Sequence, residues 1–283
     1  MIKSYCKINL SLRILKKLNN NYHSITSLIT FCDIHDTISI SKSRNLRDKI
    51  SFSGRFKKGI SKKSNTVSKA LNLLRKNKLL KNQYFKINIR KNIPHGSGLG
   101  GGSSNAAALL NYFKTKIKLA LGEKKMKQIA SQIGFDVPIN LKRHNTLLTG
   151  KKDQILRFNK KFNLNLLIVY PNLICSTKRI YDANTKISLL KKKTFFSIKN
   201  NKKLINLLKY ENNDLEEAVV KIYPKVKKLI DYIKSTEGCY FSRITGSGSA
   251  CIGIFSNMKN AIFAQKLIKL KYPKYWCVVS KTI

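Results

Sequence analysis

Asn92 to Leu110 reads NIPHGSGLGGGSSNAAALL, and its five glycines (Gly96, Gly98, Gly100, Gly101 and Gly102) fall within seven positions. Glycine opens backbone conformations closed to other residues and lets an anion approach the main chain. Ser103 and Ser104 follow at once, and then a run of good helix formers. A helix starting there aims unpaired N–H groups, and the positive end of its dipole, back at the loop. Such an arrangement cradles phosphate. Upstream, Tyr84 to Lys91 (YFKINIRK) alternates apolar and polar residues as a strand does. The expected unit is strand, glycine loop, helix, with Ser103 or Ser104 near the N-cap.

Other meanings of the loop fail on context. A flexible linker does not run straight into AAALL. Gly96-x-Gly98-x-x-Gly101 satisfies the dinucleotide fingerprint, but that motif needs a second strand ending in an acid about 20 residues on. Glu123 stands near that distance within LALGEKKMKQIA, a helical pattern. A P-loop needs a lysine after its last glycine, and none follows here. A nucleotide phosphate loop of another type remains.

The chain has 283 residues, enough for one large or two medium domains with real cores. Its 57 basic and 13 acidic residues give a formal charge of +44. A basic surface of that size points first to nucleic acid or an anionic membrane. The lysines are spread over the whole chain, however, alongside abundant Asn, Ile, Phe and Tyr, which reads as a coding bias. Six cysteines without a CxxC pair argue against a zinc site or a disulfide framework and fit a reducing cytoplasm. No apolar run approaches membrane-spanning length. The N-terminus enters a strand-like segment at once, so no signal or transit peptide is expected.

Pro94-x-x-x-Gly98-Leu99-Gly100-Gly101-Gly102-Ser103-Ser104-x-Ala106-Ala107 resembles the ATP loop of the GHMP small-molecule kinases. The GLGGGSS form is close to the branch that phosphorylates 4-diphosphocytidyl-2-C-methyl-D-erythritol. The resemblance implies ATP contacts from Pro94, His95, Gly96, Ser97, Gly98, Leu99, Gly100, Gly101, Gly102, Ser103 and Ser104. Further motifs follow in the family's order. Ser4 to Leu15 (SYCKINLSLRIL), a buried strand by its alternation, resembles the opening AKxNLxL, with Lys7 and Asn9 on one side. Tyr22-His23 matches GYHxLxT, whose aromatic ring and histidine meet the cytidine base; Asn21 replaces the usual glycine. Gly134-Phe135-Asp136-Val137-Pro138 resembles GADVP, making Asp136 the catalytic acid-base candidate and Lys7 its partner. From local pattern alone Asp136 could equally be a helix cap. Thr177 and Tyr181 lie where the family places a threonine and an aromatic residue for the cytidine end. Thr245, Gly246, Ser247 and Gly248, within SRITGSGSACIGIF, resemble the third motif, lining the phosphate region. The turn Gly150-Lys151-Lys152-Asp153 departs from the family's glycine-rich form.

Residue pattern alone supports mixed α and β in two halves. The resemblance implies an α+β fold of two domains: residues 1–158, of the ribosomal S5 domain 2 type and carrying the ATP loop, and residues 159–283, ferredoxin-like. ATP and Mg2+ are the implied cofactors, and a cytidine-diphosphate-linked small molecule the partner. No specific nucleic acid, membrane or protein metal site is implied; a cytoplasmic monomer or weak dimer is expected. Two rivals stay open. A homoserine- or mevalonate-type kinase would keep the glycine loop without needing Tyr22, His23 and Tyr181. A basic RNA-binding protein on an S5-like scaffold would explain the charge but not Lys7 with Asp136.

Among the remaining segments, Phe31–Ser41 reads as a strand and Lys49–Ser53 as the strand of a hairpin. Helices are expected over Asn65–Leu80, Lys124–Ile133, Glu211–Ser235 with a break at Pro224, and Lys259–Leu270. Leu164–Tyr170 reads as a buried strand and Tyr275–Ser280 as an edge strand.

Overall fold

The computed structural model describes residues 1–18, 23–149, 154–188, 198 and 200–283. In chain order the elements are β1 (Ile2–Asn9), β2 (Arg13–Lys17), β3 (His23–Lys42), β4 (Lys49–Ser53), α1 (Thr66–Lys76), β5 (Phe85–Arg90), α2 (Gly101–Lys116), α3 (Glu123–Ile133), α4 (Val137–Asn140), β6 (Asn145–Thr149) and β7 (Gln154–Phe158). They continue with β8 (Asn165–Tyr170), α5 (Thr177–Asp182), α6 (Asn201–Lys209), α7 (Glu216–Ile222), α8 (Pro224–Lys234), β9 (Cys239–Ile244), β10 (Cys251–Phe255), α9 (Met258–Lys271) and β11 (Trp276–Lys281). The residues pack as two units that interleave in sequence. One comprises Met1–Lys7, Ile34–His95 and Gly100–Arg143; the other comprises Ile8–Asp33, Gly96–Leu99 and His144–Ile283.

In the first unit, the second half of β3 pairs antiparallel with β5, from Thr37 opposite Arg90 to Lys42 opposite Phe85. β5 alternates as its sequence requires, burying Phe85, Ile87 and Ile89. β4 runs parallel to β5, with α1 as the connection, so the expected hairpin is not formed. Parallel neighbours need such a crossover. Asn65 caps α1, its side chain accepting from the Val67 and Ser68 amides at 2.9 Å each. The Asn65 amide in turn donates to the Ser68 hydroxyl, which closes a capping box. The apolar face of α1 (Val67, Ala70, Leu71, Leu74) joins Phe85, Phe113 and the buried residues of α2 and α3 in one core.

α2 begins two residues before the first of the two serines. Gly100, left-handed at φ 68°, is its N-cap and makes no side-chain cap, while Ser103 and Ser104 lie in the first turn. The helical ladder opens with Ser104 N donating to Gly100 O at 2.9 Å. Glycine's freedom at Gly100 therefore does the work expected of a serine cap.

In the second unit, β8, β9, β10 and β11 form an antiparallel sheet in the order β11-β8-β10-β9. With α8 before β9 and α9 before β11, this is the β-α-β-β-α-β plan of ferredoxin-like folds. β8 is buried from Leu166 to Tyr170, matching its unbroken apolar run. Leu167, Val169, Ile230, Ile233, Phe255 and Ile268 are among its core residues. β11 takes the edge, as its sequence implies. The expected strand Ser4–Leu15 is split in two. The Leu10 and Ser11 amides both point at Leu28 O (2.7 and 3.4 Å), and Leu12 instead forms a parallel bridge with Asn213. Two amides on one carbonyl break the register. No helix among the described residues is long and apolar enough to cross a membrane.

Candidate active site

The glycine stretch is held from both ends. Within the second unit, the Ala250 amide donates to Ser97 O and the Cys175 amide to Gly96 O, each at 3.0 Å. Gly98, at φ +82°, lies so close to the Thr245–Gly248 turn that an added Cβ would stand 2.1 Å from Thr245 O. Gly246, at φ +57°, packs back on Gly98 O in the same way, at 2.8 Å. Thr245 Oγ1 accepts from the Asn9 amide at 2.8 Å, and Asn9 Nδ2 donates to Ser27 Oγ at 2.7 Å. The first-motif asparagine and the third-motif turn are thus joined. Pro94, Ser97 and Leu99 are buried, and His95 Nε2 sits 2.9 Å from Lys58 O.

Within the first unit, Lys7 Nζ meets Asp136 Oδ2 at 2.9 Å; Lys7 is 4% exposed and Asp136 41%. Asp136 occupies the N-cap position of α4, yet its carboxylate makes no cap hydrogen bond. The lysine stem runs beneath the start of α2, where a Cβ on Gly100 would lie 3.1 Å from Lys7 Cε and 3.2 Å from its Cβ. Only glycine lets the two approach so closely. Asn140 Nδ2 donates to Asp136 O at 2.6 Å, while the Ser104 hydroxyl lies 2.6 Å from Asn140 Oδ1 and 2.7 Å from Tyr5 O. One amide therefore links the backbone under the acid to the first turn of α2. Asn140 carried no signal in the sequence beyond its place four residues after Asp136, on the same helix face.

Two of the cytidine-side candidates, His23 and Tyr181, are in contact. The His23 and Tyr181 rings are 5.0 Å apart between centroids and tilted by 39°. Burial pushes the His23 imidazole below its ordinary value, Lys17 adds to the effect, and Asp182 opposes it. Thr177 Oγ1 and Ser247 Oγ are 3.0 Å apart, which ties α5 to the third-motif turn. Tyr22, the turn Asn19–Asn21 and the turn Gly150–Asp153 lie outside the described residues.

Residues 65–142 match the GHMP kinases N terminal domain and residues 189–274 the GHMP kinases C terminal. The 4-diphosphocytidyl-2-C-methyl-D-erythritol kinase of Pelagibacter ubique is 40% identical over 282 residues, covering 100% of this chain and 98% of its own. The chain belongs to the GHMP kinases. It is accordingly an ATP-dependent small-molecule kinase. The like-named kinase of Caldanaerobacter subterraneus subsp. tengcongensis is 34% identical over 289 residues, covering 100% of this chain and 96% of its own. Among solved structures, a 4-(cytidine 5'-diphospho)-2C-methyl-D-erythritol kinase superposes with TM-score 0.78 at 21% identity, covering 99% of this chain and 98% of that one. A homoserine kinase from Cytophaga hutchinsonii gives TM-score 0.72 at 17% identity, covering 100% and 94%. These two likenesses establish the shared α+β GHMP fold.

Proposed function

We propose that this chain transfers the γ-phosphoryl group of ATP to the 2-hydroxyl of 4-diphosphocytidyl-2-C-methyl-D-erythritol, in the non-mevalonate (MEP) route to isoprenoid precursors. The observation that carries the chemistry is the Lys7–Asp136 pair, 2.9 Å apart beneath Gly100 at the start of α2. The relatives at 40% and 34% identity support the choice of acceptor.

Phosphoryl transfer needs in-line positioning and neutralised oxygens more than covalent help. The amides of Gly96 to Ser103, the N-terminus of α2 and the Thr245–Gly248 turn hold the ATP phosphates. Asp136, half-open to solvent, receives the acceptor hydroxyl, orients it and takes its proton. Lys7 fixes the carboxylate and offsets charge on the transferring group. Among the described residues no three His, Cys, Asp or Glu side chains converge as a metal cage. Magnesium takes phosphate oxygens and waters with few protein ligands. Ser103 would be the hydroxyl to hold a magnesium ion there, because Ser104 is buried and spent on Tyr5 and Asn140, and the ion would supply positive charge to the phosphate oxygens.

At the other end Tyr181 stacks on cytosine, Tyr22 supplies the opposite ring, and a neutral His23 reads the polar edge. Thr177 and Asn9 complete the acceptor contacts. The proposed division is residues 1–158 and 159–283; the matched spans, 65–142 and 189–274, lie on either side of that cut. The enzyme works in the cytoplasm as a monomer or weak dimer without specific nucleic acid. A coupled ADP-release assay over a panel of alcohols tests the reading. Turnover is expected with the cytidylated methylerythritol; equal or better turnover with homoserine or mevalonate would move the chain to another branch.

A further inference from the structure

The glycine loop is approached from β5 through Lys91, Asn92 and Ile93, and these residues converge with α2 on one buried carboxylate. Asp36, on β3, is 0% exposed and Lys91 2%. Asp36 Oδ1 accepts from the Asn92 amide at 2.7 Å and the Ile93 amide at 2.9 Å. Asp36 Oδ2 pairs with Lys91 Nζ and accepts from Asn105 Nδ2 at 2.9 Å. Asn105, in the second turn of α2, also accepts from Lys91 Nζ at 3.0 Å and donates to Ser4 Oγ at 3.0 Å. Gly101, the first residue of α2, lies directly on this cluster. A Cβ there would stand 3.0 Å from Ile93 Cγ2 and 3.3 Å from Lys91 Nζ.

Replacing a buried ion pair by apolar residues often leaves stability unchanged or raises it, so stability alone gives no reason for this one. Burial pushes the Lys91 ammonium below its ordinary value, and the adjacent Asp36 acts against that shift. What the pair does uniquely is geometric: one carboxylate fixes two backbone amides ahead of Pro94 and, through Asn105, the rotation of α2. We propose that Asp36, with Lys91 and Asn105, is a positioning cluster that sets the entry of the phosphate loop and the aim of the α2 N-terminal amides, and so sets nucleotide affinity without touching the reacting atoms. This rests on the reading of Gly96 to Ser104 as the ATP loop.

The test measures ATP binding by calorimetry at fixed magnesium, with KM for each substrate and kcat, in wild type, Asp36→Asn and Asn105→Ala. Asn105→Ala keeps the ion pair and places the best helix former in α2, so it serves where Asp36→Asn fails to fold. A misplacement on the order of 1 Å can cost about 100-fold. The ATP Kd and KM are expected to rise about 10- to 100-fold in Asp36→Asn and several-fold in Asn105→Ala. The KM for the acceptor, and kcat at saturation, should stay within about threefold, because the Lys7–Asp136 pair is untouched. Lowered thermal stability with unchanged ATP Kd in Asn105→Ala would reduce the cluster to a structural role and overturn the inference. Equal loss for both substrates would overturn it as well. A wild-type chain that binds no ATP would sink the loop assignment itself, an outcome distinct from either.

Discussion

Asp136 stands at a helix N-cap and does not cap, because its carboxylate is turned to Lys7 instead. A capping acid gives up about 0.5–2 kcal/mol when replaced; an acid on a lysine is set up for something else. Asp136→Asn keeps shape but cannot take a proton, so kcat is expected to fall about 10²–10⁴-fold with ATP affinity nearly unchanged. Lys7→Ala should also lower kcat, and the double variant should lose less than the product of the two. Single-turnover transfer at saturating substrates reads this; near wild-type turnover in Asp136→Asn would move the base elsewhere. The pair was legible only through the family motifs, since the partners stand 129 positions apart (136 − 7) and spacing cannot join them. Asp36, Lys91 and Asn105 were missed: each reads alone as a strand end or a helix surface, and only the packing brings them to one point. His23 gives a pH prediction. Its folded value lies below the ordinary 6.5, so the neutral imidazole is kept above 6.5 and its contribution is lost as pH falls through the depressed value. Acceptor affinity should be flat at neutral pH and weaken in acid, and His23→Gln should flatten the acid limb. An unchanged limb in that variant would put the titrating group elsewhere.

At the scale of elements, glycine positions separate into those the fold requires and those it merely tolerates. Gly98 combines a left-handed backbone with a Cβ that would collide with Thr245 O. The backbone conformation alone costs a side chain about 1–2 kcal/mol. Gly98→Ala is expected to lose more than that in chemical denaturation and to weaken ATP binding; wild-type values for both would deny the loop its tight approach. Gly122 is the contrast. It is the N-cap of α3 at φ −60°, with no side-chain cap and nothing within 4 Å of an added Cβ. Gly122→Ser should stabilise by about 0.4–1 kcal/mol, through lower unfolded-state entropy and a new cap, without altering kinetics. Loss of stability there would mean the backbone at 122 differs from that described. The same contrast explains what pattern could foresee. β5, α1 and α3 carry strong periodicity and β8 an unbroken apolar run, each with a cap or turn at an end, and they fall within a few residues of expectation. The start of α2, the split between β1 and β2 and the parallel pairing of β4 depend on a backbone angle, a shared carbonyl and a distant partner. None of these has a local signature. β6, β7 and α5 are short, and the chain offers no periodic run long enough to announce them; α6 carries Leu204 and Leu208 at helical spacing behind an Asn200 cap, a signal that was passed over.

For the whole molecule the dominant quantity is +44, set by 57 basic against 13 acidic residues. At most 13 of the 57 can be matched one-to-one with an acidic side chain, which leaves an excess of 44 positive side chains. Self-repulsion of that size opposes compactness, and salt relieves it. The screening length falls from about 30 Å at 0.01 M to about 8 Å at 0.15 M salt. Thermal stability should therefore rise over that interval. The buried pair Lys91–Asp36, shielded from ions, should not reverse the trend. On the proposed function the same field would draw in ATP and a diphosphate-bearing acceptor alike, so KM for both should rise with salt, while kcat should stay nearly constant if the chemistry rests, as proposed, on Lys7 and Asp136, 2.9 Å apart. RNA would be held through phosphates alone, and log K should fall linearly with log salt at about 0.9 per phosphate neutralised on a duplex. Filter binding of an unrelated duplex and of total RNA, repeated across salt, separates the two origins of the charge. Equal, steeply falling affinities with full kinase turnover in RNA-free buffer are expected of a coding bias. A sequence-selective complex surviving 0.15 M salt would give the basic surface a function of its own.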